Sequence, residues 1–163
     1  MGLFNFRKLN RMLHQIETLT KNGELSQARA LLEPLRQQNP RDATLLLYAA
    51  AIEFEDKQLA LAEQLIGEGL KLQKDNPVLH LALGEVLWQQ KKYPEARQSL
   101  HQALHLSPGH PKIEYLLGLI SIAQGRLDEA TLHFEQVARE DLHFLQARLL
   151  TLAEARHMQS SHV

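Results

Sequence analysis

Cysteine is absent from the 163 residues. That excludes a disulfide framework, a thiol nucleophile, zinc–cysteine sites and iron–sulfur ligation, and it fits a reducing compartment. An excess of one charge is missing too. Eighteen Lys and Arg stand against nineteen Asp and Glu, for a net charge of −1. Such a balance gives no global basic surface for nucleic acid and no acidic solvating tail. Long apolar runs are also lacking. Stretches such as 49–52 and 116–120 fall well short of the ~20 residues a membrane span needs. Residues 1–12 carry Arg7, Lys8 and Arg11 without an acid, and they lack the apolar stretch and cleavage site of a signal peptide. Phe6 stands where N-myristoylation requires Ser or Thr. A soluble cytoplasmic protein is the expectation. Aromatics are sparse at 6%, with one Trp, so the places where they fall carry weight.

What the chain does have is a period. Ala28, Ala62, Ala96 and Ala130 lie 34 residues apart. Three residues before each stands Leu25, Leu59, Tyr93 or Leu127, and four after each stands Leu32, Ile66, Leu100 or Phe134. The same register aligns Met12, Leu46, His80 and Glu114, and then Ile16, Ala50, Gly84 and Gly118. Each copy reads as two helices. In the third, Pro77 opens a helix with Leu83, Gly84 and Leu87 on one face. A polar turn at 89–92 follows. Pro94 then starts a second helix carrying Ala96, Leu100, Ala103 and Leu104, which ends at Ser107-Pro108-Gly109. The other copies turn at Asn22-Gly23, Asp56-Lys57 and Gly125-Arg126. Ala50, Gly84 and Gly118 are expected where two helix backbones approach closely.

This pattern resembles the tetratricopeptide repeat (TPR) family over roughly residues 9–142, with 34-residue units marked by Leu-Gly, Ala, Phe, Ala and Pro. The third copy matches best, with Leu83-Gly84, Ala96, Leu100, Ala103 and Pro108. The fourth gives Leu117-Gly118, Ala130 and Phe134, with Leu142 in place of the terminal proline; the early aromatic is absent from all four. The resemblance implies an all-α fold, a right-handed α-solenoid of four helix-turn-helix units at 9–42, 43–76, 77–110 and 111–142. Residues 1–8 are then a basic, aromatic lead-in. Residues 143–158 are expected to form a capping helix with Asp141 as N-cap, and 159–163 a disordered tail.

No catalytic constellation is present, and the chain is expected not to be an enzyme. No phosphate-binding loop or Gly-x-Ser-x-Gly elbow occurs. His101 and His105 share a helix face, but Gln102 stands where zinc peptidases carry Glu, so a solvated face and no metal is expected. His80 is expected to be a neutral, hydrogen-bonded packing residue. Asp128 and Glu129 suit the first turn of a helix. No cofactor is expected.

Function is therefore sought on a surface. With copies numbered from Leu9, Ala43, Pro77 and Pro111, positions 4, 7, 8 and 11 form the packing stripe. Positions 2, 5, 9 and 12 point about 130° away, toward the groove lined by the first helices. Position 5 holds Leu13, Leu47, Leu81 and Tyr115. Position 9 holds Glu17, Ala51, Glu85 and Leu119. Position 12 holds Phe54, Trp88 and Ile122 beside Thr20, and position 6 adds Tyr48 and Leu116 at the margin. Such an apolar strip, rimmed by Glu17, Glu55, Glu85 and Lys112, fits a partner site. The leading expectation is a scaffold that binds an amphipathic helix or extended apolar peptide of another protein. The alternatives are a self-associating assembly factor, as a homodimer in a bacterial-type secretion, pilus or envelope complex, and a regulatory subunit or tail of an enzyme complex such as a peptidase. The TPR subset that clamps a chaperone C-terminal carboxylate uses Lys, Asn and Arg. The matching positions here are Leu13, Glu17, Tyr48, Val78 and Ala82, so that mode is not expected.

Overall fold

The computed structural model describes the backbone of residues 3–140 and the side chains of residues 7–137. Eight α-helices and no strand occur among the described residues: α1 (Leu3–Lys21), α2 (Leu25–Gln38), α3 (Ala43–Glu55), α4 (Leu59–Leu72), α5 (Pro77–Gln89), α6 (Tyr93–Leu106), α7 (Pro111–Ala123) and α8 (Leu127–Glu140). They form the four helix-turn-helix units that the period predicts. Residues 3–8, read above as a lead-in, are the first turns of α1. The helix expected at 143–158, its cap Asp141 and the tail lie outside the described residues.

Local chemistry sets the helix ends. The Asp42 carboxylate accepts from the backbone N–H groups of Thr44 and Leu45 and so starts α3. Asn76 does the same for Val78 and Leu79 ahead of Pro77 in α5. Within each unit the chain reverses through a left-handed residue at one repeat position: Gly23 at φ 78°, Lys57 at 62°, Lys91 at 61° and Gly125 at 74°. Glycine takes this conformation freely, whereas the two lysines carry roughly 1–2 kcal/mol of strain each.

The stacking fixes the curvature. Each helix packs on the next in sequence, and α1, α3, α5 and α7 also pack on one another. The backbones of the second helices of successive units, such as α2 and α4, stay farther apart, and long side chains such as Arg97 on α6 span the gap to the next. Spacing is therefore tighter on the first-helix side, so that side is concave.

The small-residue column has a side-chain neighbour in addition to the backbone expected there. A Cβ on Gly84 would lie 2.6 Å from Leu100 Cγ, and one on Gly118 would overlap the Phe134 ring, 2.7 Å from its Cζ. The notch receives a side chain of the second helix, and at Gly84 the expected backbone approach is present as well, with the Ala96 carbonyl oxygen 3.3 Å from the same Cβ. Gly67, inside α4, differs: a Cβ there meets nothing within 4 Å. Gly67→Ala is expected to raise stability by about 0.5–1 kcal/mol in denaturant titration, because it removes glycine's helix penalty at no steric cost. A loss of stability would contradict this packing.

The fourth unit departs from an apolar core. Glu114, at the first position of the packing stripe, is buried, and His133 Nδ1 lies 2.8 Å from its Oε2. Arg97 on α6 pairs with Glu129 on α8, and its guanidinium lies 3.4 Å from the buried Ser121 hydroxyl. A polar seam thus joins α6, α7 and α8, and Glu129 has ionic partners in addition to its place at a helix start. No regular spacing singles out His133 in the sequence. Partial burial, and then the neighbouring Arg97, hold His101 below the usual imidazole range. His80 Nε2 lies 2.8 Å from the Lys74 carbonyl, the hydrogen-bonded state expected of it.

Candidate functional site

The concave layer of first helices encloses an open cavity of about 550 Å³ between α1, α3, α5 and the start of α7. That size falls in the range of ligand and side-chain pockets. Its centre is apolar. Leu47, Ala51 and Phe54 come from α3, and Val78, Ala82 and Val86 come from α5. They fall together because each first helix stacks on the next: position 9 of one unit faces position 2 of the following one. The resulting rows are Glu17 with Thr44, Ala51 with Val78, and Glu85 with Lys112. An apolar window thus sits between two polar rows. Val78 is 53% exposed, an apolar side chain that folding leaves facing solvent.

The charges at the rim are mostly neutralised within the chain. Lys21 Nζ donates to Glu17 Oε1 at 2.6 Å, and Lys112 Nζ donates to Glu85 Oε2 at 2.8 Å. The Lys21 hydrogen bond holds the Glu17 carboxyl below its ordinary range. Burial, and then the Glu17 charge, push the Tyr48 phenol up, so it remains a neutral donor at physiological pH. The Lys57 ammonium sits 5.8 Å from the centre of the Phe54 ring. Glu55, the last residue of α3, is exposed, and its carboxylate makes no ion pair or hydrogen bond among the described residues.

Six of the twelve sequence-predicted residues line this cavity: Glu17, Leu47, Tyr48, Ala51, Phe54 and Glu85. The other six lie outside it. Leu13 packs against the core of the first two units. Leu81, Trp88 and Leu119 pack, half-buried, against the core of the last two. The Tyr115 ring lies 5.9 Å from that of Phe134, and Ile122 is half-buried. Leu116, placed at the groove margin above, is instead a core residue at 4% exposure, in one cluster with Leu87 of α5 and Ala96 and Leu100 of α6. Lys21, Thr44, Ile66, Val78, Ala82 and Val86 also line the cavity and were not assigned to the site from the sequence. Val78 and Thr44 occupy position 2, which belongs to the same stripe, so the signal was available.

Among the described residues no group of His, Cys, Asp and Glu is placed to hold a metal ion, and no helix is long and apolar enough to cross a membrane. Comparison with known proteins matches the tetratricopeptide repeat model over residues 15–77, and again over 53–120 and 87–155. The chain is 31% identical over 154 residues to human tetratricopeptide repeat protein 34, covering 94% of this chain and 25% of that one. It therefore spans about a quarter of that relative's length. A thermophilic TPR protein of Thermus thermophilus superposes with a TM-score of 0.77 at 22% identity, covering 87% of this chain and 80% of that one. YrrB, a TPR protein with an unusual peptide-binding site, gives 0.68 at 19% identity over 91% and 76%.

Proposed function

Because the chain belongs to the tetratricopeptide repeat family, we propose that it is a non-catalytic scaffold that holds an apolar or amphipathic segment of another protein in its concave cavity. The observation that carries this reading is the apolar window of Ala51, Phe54, Val78 and Ala82, left open on the side where the helices crowd together. Burying such side chains against a partner is favourable at roughly 25 cal/mol per Å² of apolar area removed from water. YrrB supplies a precedent at the level of fold, since it too is a TPR protein with a peptide-binding site. Carboxylate capture is disfavoured by the charges present. Glu17, Tyr48, Val78 and Ala82 offer no cation, and the nearby Lys21 and Lys112 already serve Glu17 and Glu85.

The test is affinity capture from an extract of the source cells, with wild type beside Phe54→Ala and Trp88→Ala. Phe54 lies in the cavity and Trp88 outside it, so the two variants should separate. Phe54→Ala is expected to weaken retention of the partner by about 2 kcal/mol, as for an aromatic anchor. Trp88→Ala should retain it. A partner held equally by wild type and Phe54→Ala would contradict the assignment.

A further inference from the structure

We propose that the occupant of the cavity is a peptide segment combining a bulky apolar anchor with a Lys or Arg that pairs with Glu55; this rests on the groove reading above and specifies its partner. The rim of the apolar site holds three carboxylates, and two are already satisfied: Glu17 by Lys21 and Glu85 by Lys112. Glu55 has no such partner among the described residues and lines the same cavity. It also ends α3, whose last turn contains no basic residue. The partial negative charge of the helix C-terminus therefore adds to that of the carboxylate. The next cation along the chain, Lys57, is drawn over the Phe54 ring instead. The cavity thus presents an apolar centre with one uncompensated negative corner. A purely apolar segment would strip water from Glu55 without replacing its hydrogen bonds, and an acidic one would be repelled. A basic residue beside an apolar anchor satisfies both features.

The acid is also poorly placed for stability, since a carboxylate at a helix C-terminus opposes the dipole. Glu55→Lys should therefore leave the fold intact or slightly steadier, which makes it a clean probe. The experiment is selection of random twelve-residue peptides by phage display on the full chain, in parallel on wild type, Glu55→Lys and Ala51→Arg, with thermal unfolding of each. Wild type is expected to enrich peptides that pair Leu, Ile, Phe, Met or Trp with Lys or Arg. Glu55→Lys is expected to exchange the basic residue for Asp or Glu. The affinity of a wild-type-selected peptide should fall about five- to tenfold on Glu55→Lys at low salt, and by less at high salt. Apolar peptides that lose binding on Ala51→Arg but show no basic preference, or keep that preference on Glu55→Lys, would overturn the charge assignment and leave the groove reading standing. Peptides that bind Ala51→Arg as well as wild type, or a selection that enriches nothing on wild type, would overturn both.

Discussion

Phe134→Ala is expected to cost about 3–5 kcal/mol, the largest effect of any single substitution considered. The ring is fully buried and fills the notch left by Gly118, and it lies against Tyr115. Its removal opens a cavity between α7 and α8, where Gly118 has no side chain to collapse into the space. A solenoid is held by nearest-neighbour contacts, so the loss should fall on the last units first. Denaturant unfolding followed by circular dichroism should show an early transition of α7 and α8, with α1–α4 melting later. The partner position supplies an internal check. In wild type, Gly118→Ala drives a methyl into the ring and should destabilise by roughly 1–3 kcal/mol. In the Phe134→Ala background the same change should stabilise by roughly 1 kcal/mol, since only glycine's helix penalty remains. A sign that does not reverse would mean that Phe134 does not occupy the notch.

The contrast between Gly118 and Gly67 shows what was legible in the sequence. The small residues Ala50, Gly84 and Gly118, 34 residues apart, mark a packed notch, because a shared neighbour imposes the same constraint at the same interval. Gly67 lies outside that column and has open space around it. The period likewise revealed the eight helices, their turns and the face that lines the groove. It could not reveal how far the apolar strip stays open. Leu47 and Phe54 rest half-buried on the first core as Leu81, Trp88 and Leu119 rest on the second, yet only the former, with Ala51, line the cavity. The difference arises from the neighbours each unit happens to carry, which repeat position alone does not encode. Side-chain pairing between units was hidden for the same reason. Lys112 reaches Glu85 across 27 residues, and His133 reaches Glu114 across 19. Each of the four is an ordinary polar residue until stacking brings its partner alongside. Glu55 acquires significance only by subtraction, once Glu17 and Glu85 are known to be paired.

Ala51→Arg should abolish partner binding while leaving the fold unchanged. Ala51 is exposed on α3 at the middle of the apolar window, opposite Val78. A larger side chain there grows outward into the cavity rather than into the core, so the cost to folding should stay within about 0.5 kcal/mol. It nevertheless fills the volume an apolar anchor needs, and its guanidinium competes with a basic partner residue for Glu55. An affinity loss of at least about 100-fold, or roughly 2.7 kcal/mol, is expected. Leu132→Arg provides the control, since Leu132 is 64% exposed on α8, away from the cavity. The decisive measurement is calorimetric titration of a wild-type-binding segment into wild type, Ala51→Arg and Leu132→Arg, each of matched thermal stability. Loss of binding confined to Ala51→Arg is the predicted result. Equal affinity for all three proteins would show that the segment docks elsewhere and that the hollow between α1, α3 and α5 is not the binding surface.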